Sequence, residues 1–152
     1  MTTSDSRRFA SSCGGTGTFW GFENYNVVPD IIITGKGLGG GMPIGAFIAS
    51  FKHMNLLKDN PKVGHISTFA GHPVIAAVGV ATATEILEKN LLSESLRKEK
   101  IRRTQLQHKA ILEIRGRGLM LAAIVDTPEL AAKIVFKCLD KGLILFFLLF
   151  EA

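Results

Sequence analysis

The chain has 152 residues, 47% of them hydrophobic and 20% charged. That length allows one ordinary domain with a real core, and the composition excludes a disordered segment. Its 18 basic and 13 acidic residues leave a net charge of +5, dispersed except around Arg97-Lys98 and Lys100 to Arg103, where no aromatic residue interleaves; a solvated helix face is expected there and no nucleic-acid surface. Two distant cysteines, Cys13 and Cys138, read as free thiols of a reducing cytoplasmic compartment, and neither a secretory leader nor a membrane-spanning run is expected.

Met1 to Cys13 is polar and rich in Ser and Arg. Phe19-Trp20-Gly21-Phe22 is an aromatic cluster expected to pack against the strand that follows. Ile31-Ile32-Ile33 predicts a strand buried on both faces, of the parallel-sheet type. The strand stops in glycine. Lys36 stands between Gly35 and Gly37, with Gly39, Gly40 and Gly41 behind it, and Ile44 to Ala49 resumes a second apolar strand. A long amine is thus presented where neighbouring side chains have been removed and the backbone turns freely.

A lysine at the end of a buried strand has two uses. Desolvation disfavours the ammonium form and makes the amine a nucleophile for a carbonyl; if it stays charged, it holds a phosphate. The alternative to both is a solvated loop lysine. Gly35-x-Gly37-x-x-Gly40 formally fits the dinucleotide-binding fingerprint, and Asp59 lies about 20 residues on, where the ribose-binding acid belongs. That motif must open a helix, which Gly41-Met42-Pro43-Ile44-Gly45 cannot do. The P-loop pattern fails sooner, because Gly37 rather than Ser or Thr follows Lys36.

Lys52 to Lys62 reads as a loop or short helix stopped by Asp59-Asn60-Pro61. His53 and His65 have no partner at ligand spacing, so no metal is expected. Ser67 and Thr68 then precede a helix whose first turn is marked by Pro73. Hydroxyls so placed either cap the helix or hold an anion. The helix from Pro73 to about Leu92 is apolar nearly all round its first half and is expected to be buried. Ser93 is expected to cap a polar, solvent-facing helix running to about Lys109, with Glu94 in its first turn. Leu119 to Val125 predicts a strand. Thr127-Pro128-Glu129 and Gly142 bracket a helix over Pro128 to Lys141, and Leu143 to Phe150 reads as a buried strand.

Three stretches in order carry a resemblance. Gly17-Thr-Phe-Trp-Gly-Phe-Glu23, Val28-Pro-Asp-Ile-Ile-Ile-Thr-Gly-Lys-Gly-Leu-Gly-Gly-Gly-Met-Pro-Ile-Gly-Ala46 and Ser67-Thr-Phe-Ala-Gly-His-Pro73 resemble the class III aminotransferases, which include ornithine, acetylornithine, lysine and 4-aminobutyrate transaminases. The resemblance implies an α/β fold: a partial fold type I pyridoxal-phosphate transferase, comprising the later part of the large domain and the start of the small domain. Residues 1–13 are then an unmatched segment, 14–92 part of the cofactor-binding large domain, and 93–152 part of the small domain.

By the same resemblance Lys36 forms the internal aldimine with pyridoxal 5'-phosphate. Thr68, with Ser67 beside it, serves the cofactor phosphate of the other subunit across a homodimer with a shared active site. The implied substrates are an amino-acid or ω-amino donor and a 2-oxo acid. Arg115 and Arg117 are read as structural. Asp5 does not match the family's Asp that pairs with the pyridine nitrogen, and the phosphate cup, the ring-stacking aromatic and the terminal carboxylate-binding Arg belong to family regions outside these residues. The chain alone is therefore expected to bind the cofactor poorly and to turn over slowly or not at all. The alternative reading is a non-catalytic truncated member or dimerising interaction module.

Overall fold

The computed structural model describes residues 8–11, 13–59, 62, 64 and 66–146. Asp5, Asn60, Pro61, His65 and the stretch 147–150 of the expected last strand lie outside the described residues.

Among the described residues two small sheets and four α-helices make up the fold. The first sheet has the order β1 (Arg8–Ser11), β2 (Ile31–Gly35), β3 (Gly45–Ala49). β1 runs parallel to β2, pairing Arg8 with Ile31 and Ser11 with Thr34, and β3 runs antiparallel, pairing Ile33 with Phe47 and Gly35 with Gly45. The β-branched run of three isoleucines suits the central position. It is not buried on both faces as expected, since Ile33 is 47% exposed. Among the described residues no layer covers it: the longest helix packs against the turn that follows β2 rather than across the sheet.

Helix α1 (Phe51–Asn55) is a single turn capped by Ser50 Oγ, which accepts from His53 N at 3.4 Å. α2 (Pro73–Glu88) starts on Pro73 as expected. Its all-round apolar surface is nonetheless largely open: Gly79 is its one buried residue and Val80 is 67% exposed. The chain breaks at Asn90, which takes the left-handed conformation at φ +50 and caps α3 (Leu91–Gln105). Asn is among the few side chains that enter that region at low cost. Ser93 therefore lies inside the helix instead of capping it, its hydroxyl donating to Asn90 O.

The second sheet is a hairpin of β4 (Glu113–Arg117) and β5 (Met120–Ile124), with Glu113 opposite Ile124 and Arg117 opposite Met120. Thr127 caps α4 (Pro128–Leu139), its Oγ1 accepting from Leu130 N at 3.2 Å, and Gly142 follows at φ +80. Residues 143–146 form no strand.

The expected hydrophobic core is missing: among the described residues no apolar side chain is fully buried, and the buried polar ones are Thr34 and Ser95, each 5% exposed. Polar bonds join several of the pieces. Ser95 Oγ donates to Gly14 O at 3.0 Å, Leu119 N donates to Gly15 O at 2.8 Å, and Cys13 Sγ lies 3.6 Å from Thr34 Oγ1. The loop from Gly14 to Thr18 is thereby pinned between β2, α3 and the hairpin.

Candidate active site

β2 delivers the chain to Gly35, and a 3₁₀ turn over Lys36–Gly39 follows at once. The turn is closed by Gly40 N donating to Gly37 O at 3.3 Å and Met42 N to Gly39 O at 2.9 Å. Lys36 itself has φ +42, an uncommon conformation for a residue with a side chain. Its side chain is exposed, so these residues do not supply the desolvation expected of a lysine ending a buried strand. They do supply room: a Cβ built at Gly37, Gly41 or Gly45 would meet nothing within 4 Å.

The glycines of this turn differ in what they do. Gly40 and Gly41 have φ of +54 and +113, values that favour glycine. Gly39 is needed for closeness, because a Cβ there would stand 2.9 Å from Ile44 Cγ2. On α2, Gly79 faces the same turn; its Cβ would lie 3.2 Å from Ile44 Cδ1 and 3.9 Å from Leu38 O. A Cβ at Gly40 would overlap Thr82 Oγ1. Thr82 in turn donates to Val78 O at 2.9 Å, which fixes its rotamer. Gly79 and Thr82 were not singled out from the sequence. The available signal was a glycine in a helix interior, which costs about 1 kcal/mol against alanine and marks a close approach where it is kept.

Ser67 and Thr68 lie in an exposed turn, where Ala70 N donates to Ser67 O at 3.0 Å. Neither caps α2: the N-cap is His72, with no side-chain capping bond. No hydrogen bond joins them to Lys36 among the described residues: the lysine turn packs on the middle of α2, and the hydroxyls precede its first turn. Phe19 and Trp20 pack edge to face with centroids 4.8 Å apart. Arg115 pairs with Glu113 at 2.8 Å on the surface. Among the described residues no group of three or more His, Cys, Asp or Glu side chains is placed to hold a metal ion, and no helix is long and apolar enough to cross a membrane.

A groove of about 460 Å³ on the first sheet is lined by Ile31, Ile33, Thr34, Gly45, Ala46 and Phe47. It is apolar and does not include Lys36.

The family described as Aminotransferase class-III matches residues 10–148. An acetylornithine aminotransferase of Caldanaerobacter subterraneus subsp. tengcongensis is 42% identical over 137 residues, covering 87% of this chain and 34% of that protein. A leucine/methionine racemase of Thermococcus litoralis is 34% identical over 151 residues, covering 91% of this chain and 33% of that one. The solved ornithine aminotransferase of Toxoplasma gondii, described with partial occupancy of pyridoxal phosphate at its active site, superposes with a TM-score of 0.76 at 29% identity, over 91% of this chain and 34% of its own. The chain thus spans about a third of the length of the relatives it matches.

Proposed function

This chain belongs to the class III aminotransferases, and from that premise we propose that it carries the lysine-bearing part of a pyridoxal-phosphate-dependent transaminase, which moves an amino group from an amino-acid or ω-amino donor to a 2-oxo acid. The observation that carries the reading is Lys36: an exposed amine on a strained backbone at the end of β2, with open space at Gly37, Gly41 and Gly45. The residues fit the group. An amine is the donor an aldehyde requires, and the space beside it is clear of side chains. Ser67 and Thr68 are exposed hydroxyls not engaged in capping α2, free to donate to a phosphate.

In this reading Lys36 holds the cofactor's aldehyde carbon, and Ser67 and Thr68 hold its phosphate, Thr68 serving the site of a second copy in a homodimer. Pyridoxal phosphate supplies the electron sink for the carbon that loses its proton. The chain's own contribution would be proton movement at Lys36 Nζ: once the donor's amino group displaced it from the cofactor's aldehyde carbon, the freed amine would carry the proton from the donor carbon to that aldehyde carbon. A leucine/methionine racemase stands among the relatives, so transfer to a 2-oxo acid, rather than return to the same carbon, is what we propose for this chain.

A second reading is favoured by one specific finding, the absence of any fully buried apolar side chain among the described residues. It makes the chain a non-catalytic truncated family member or a dimerising module. One experiment separates the two. The full chain is incubated with pyridoxal phosphate, reduced with borohydride, and each lysine is mapped by peptide mass. The transaminase reading expects Lys36 to be labelled about tenfold faster than Lys52, Lys58 or Lys89 and labelling at that position to vanish in Lys36→Ala, since a preorganised amine outruns equivalent solvated ones. Uniform labelling of all lysines would leave the non-catalytic reading standing.

A further inference from the structure

The lysine's backbone needs something to hold it, and the candidates are on α2. A side-chain-bearing residue at φ +42 stays there only where its surroundings leave it no relaxed alternative. Upstream, Lys36 is anchored by the Gly35–Gly45 pair of the β2–β3 ladder. Downstream, the turn would be free to unwind were it not packed on a helix. Two close approaches stand out in that packing. Gly79 lets α2 come close enough for Ile44 and the Leu38 carbonyl to rest on it, and the Thr82 hydroxyl fills the space left by the missing side chain of Gly40. The bond from Thr82 Oγ1 to Val78 O keeps that hydroxyl where Gly40 meets it. A bulkier residue at 79 would push the helix off the turn, and a smaller one at 82 would leave Gly40 unsupported.

We infer that Gly79 and Thr82 are positioning residues for Lys36: together they seat the turn Lys36–Gly40 on α2 and so fix the direction in which the amine leaves the backbone. The inference rests on the reading of Lys36 as the reacting lysine, and its test keeps the two apart.

The full chain and its variants are labelled with pyridoxal phosphate and borohydride across a range of pH, with the other lysines as internal reference. Thr82→Ala is expected to lower the relative labelling rate of Lys36 by about tenfold and to change its pH profile, because misplacement of a reacting group by an ångström is enough for such a loss. Alanine is the better helix former, so a weakened α2 cannot be the cause. Thr82→Val, which keeps the shape, is expected to restore the rate to within about twofold. Gly79→Val is expected to lower labelling as well, and Gly79→Val with Ile44→Ala to recover part of the loss, since the second change removes the atoms the first would meet.

Wild-type labelling rate and pH profile at Lys36 in both Thr82→Ala and Gly79→Val would overturn the inference. If Lys36 in the unmodified chain reacts no faster than the other lysines, the reading of the lysine fails first. Positioning is then judged by hydrogen exchange at the Gly40 and Met42 amides, which close the turn. Faster exchange in Thr82→Ala and Gly79→Val supports it, and unchanged exchange removes it.

Discussion

Gly118 stands at the tip of the β4–β5 hairpin with φ +63, where a Cβ would overlap Gly15 O and lie 2.9 Å from Thr16 Cα. Both obstacles are backbone, and the Gly15 carbonyl is held by Leu119 N, so nothing can swing aside. Gly118→Ala is expected to weaken the docking of the hairpin on the Gly14–Thr18 loop by about 2–4 kcal/mol, the sum of a left-handed alanine and an overpacked contact. Hydrogen exchange at the Leu119 amide checks this, with acceleration of about tenfold or more expected; an unchanged rate would show that the loop can shift. The lysine turn teaches the same lesson in reverse. Its glycine cluster is plain in the sequence, but only coordinates separate Gly40 and Gly41, kept by their φ, and Gly39, kept by Ile44, from Gly37, which meets nothing. Left-handed Lys36 was not legible at all, because that conformation is imposed by the ladder before it and the helix beneath it rather than by its neighbours' identities.

At the level of elements, what could be read was what is written locally. α4 is bounded by Thr127, Pro128 and Gly142, each of which acts on its own backbone, and the helix falls between them as expected. β1 and β4 were missed because their sequences, one in a polar segment and one with alternating charge and glycine, become strands only through a partner. The role of α3 was also hidden. It reads as a solvated helix, yet Glu99, 17% exposed, accepts from Gly118 N at 2.6 Å and Arg103 Nε at 2.8 Å, while Arg103 donates to Ile114 O and Gly116 O at 2.8 and 2.7 Å. These bonds tie the helix to the hairpin. The Gly118 amide and then the Arg103 guanidinium, with Arg117 nearby, hold the Glu99 carboxyl below the usual glutamate range. The sign follows: a depressed folded value makes the tie fully effective above the ordinary glutamate pKa and loosens it as pH falls through the lowered value. The Gly118 amide chemical shift should therefore titrate with a midpoint below that of an ordinary glutamate and lose the titration in Glu99→Gln. A midpoint in the ordinary range would mean the bond is not kept in solution.

The whole molecule raises a problem of balance. Burial of apolar surface is the main force that offsets the entropy of ordering a chain, and here 47% of the residues are hydrophobic while none of the described apolar side chains is fully buried. The first sheet shows the consequence. Ile33 and Phe47 are register partners on one face, exposed by 47% and 44%, and they line the apolar groove beside Ile31. The relatives are about three times as long, and the sheet is open on its other face too, where Ile48 is 47% exposed, so it offers surface that further polypeptide of the family fold would cover. Among the described residues nothing buries these side chains, which leaves the face to water or to another copy. Net charge of +5 opposes association only weakly at physiological ionic strength, where screening acts within about 8 Å. The chain by itself is therefore expected to self-associate as concentration rises, and Phe47→Glu to move the association midpoint upward by about tenfold, since one aromatic side chain withdrawn from water is worth about 1.5–3 kcal/mol. Sedimentation across a dilution series measures this. If Phe47→Glu associates like the unmodified chain, the open sheet face is not what brings copies together, and the cover it calls for must be sought on the exposed side of α2 around Val80.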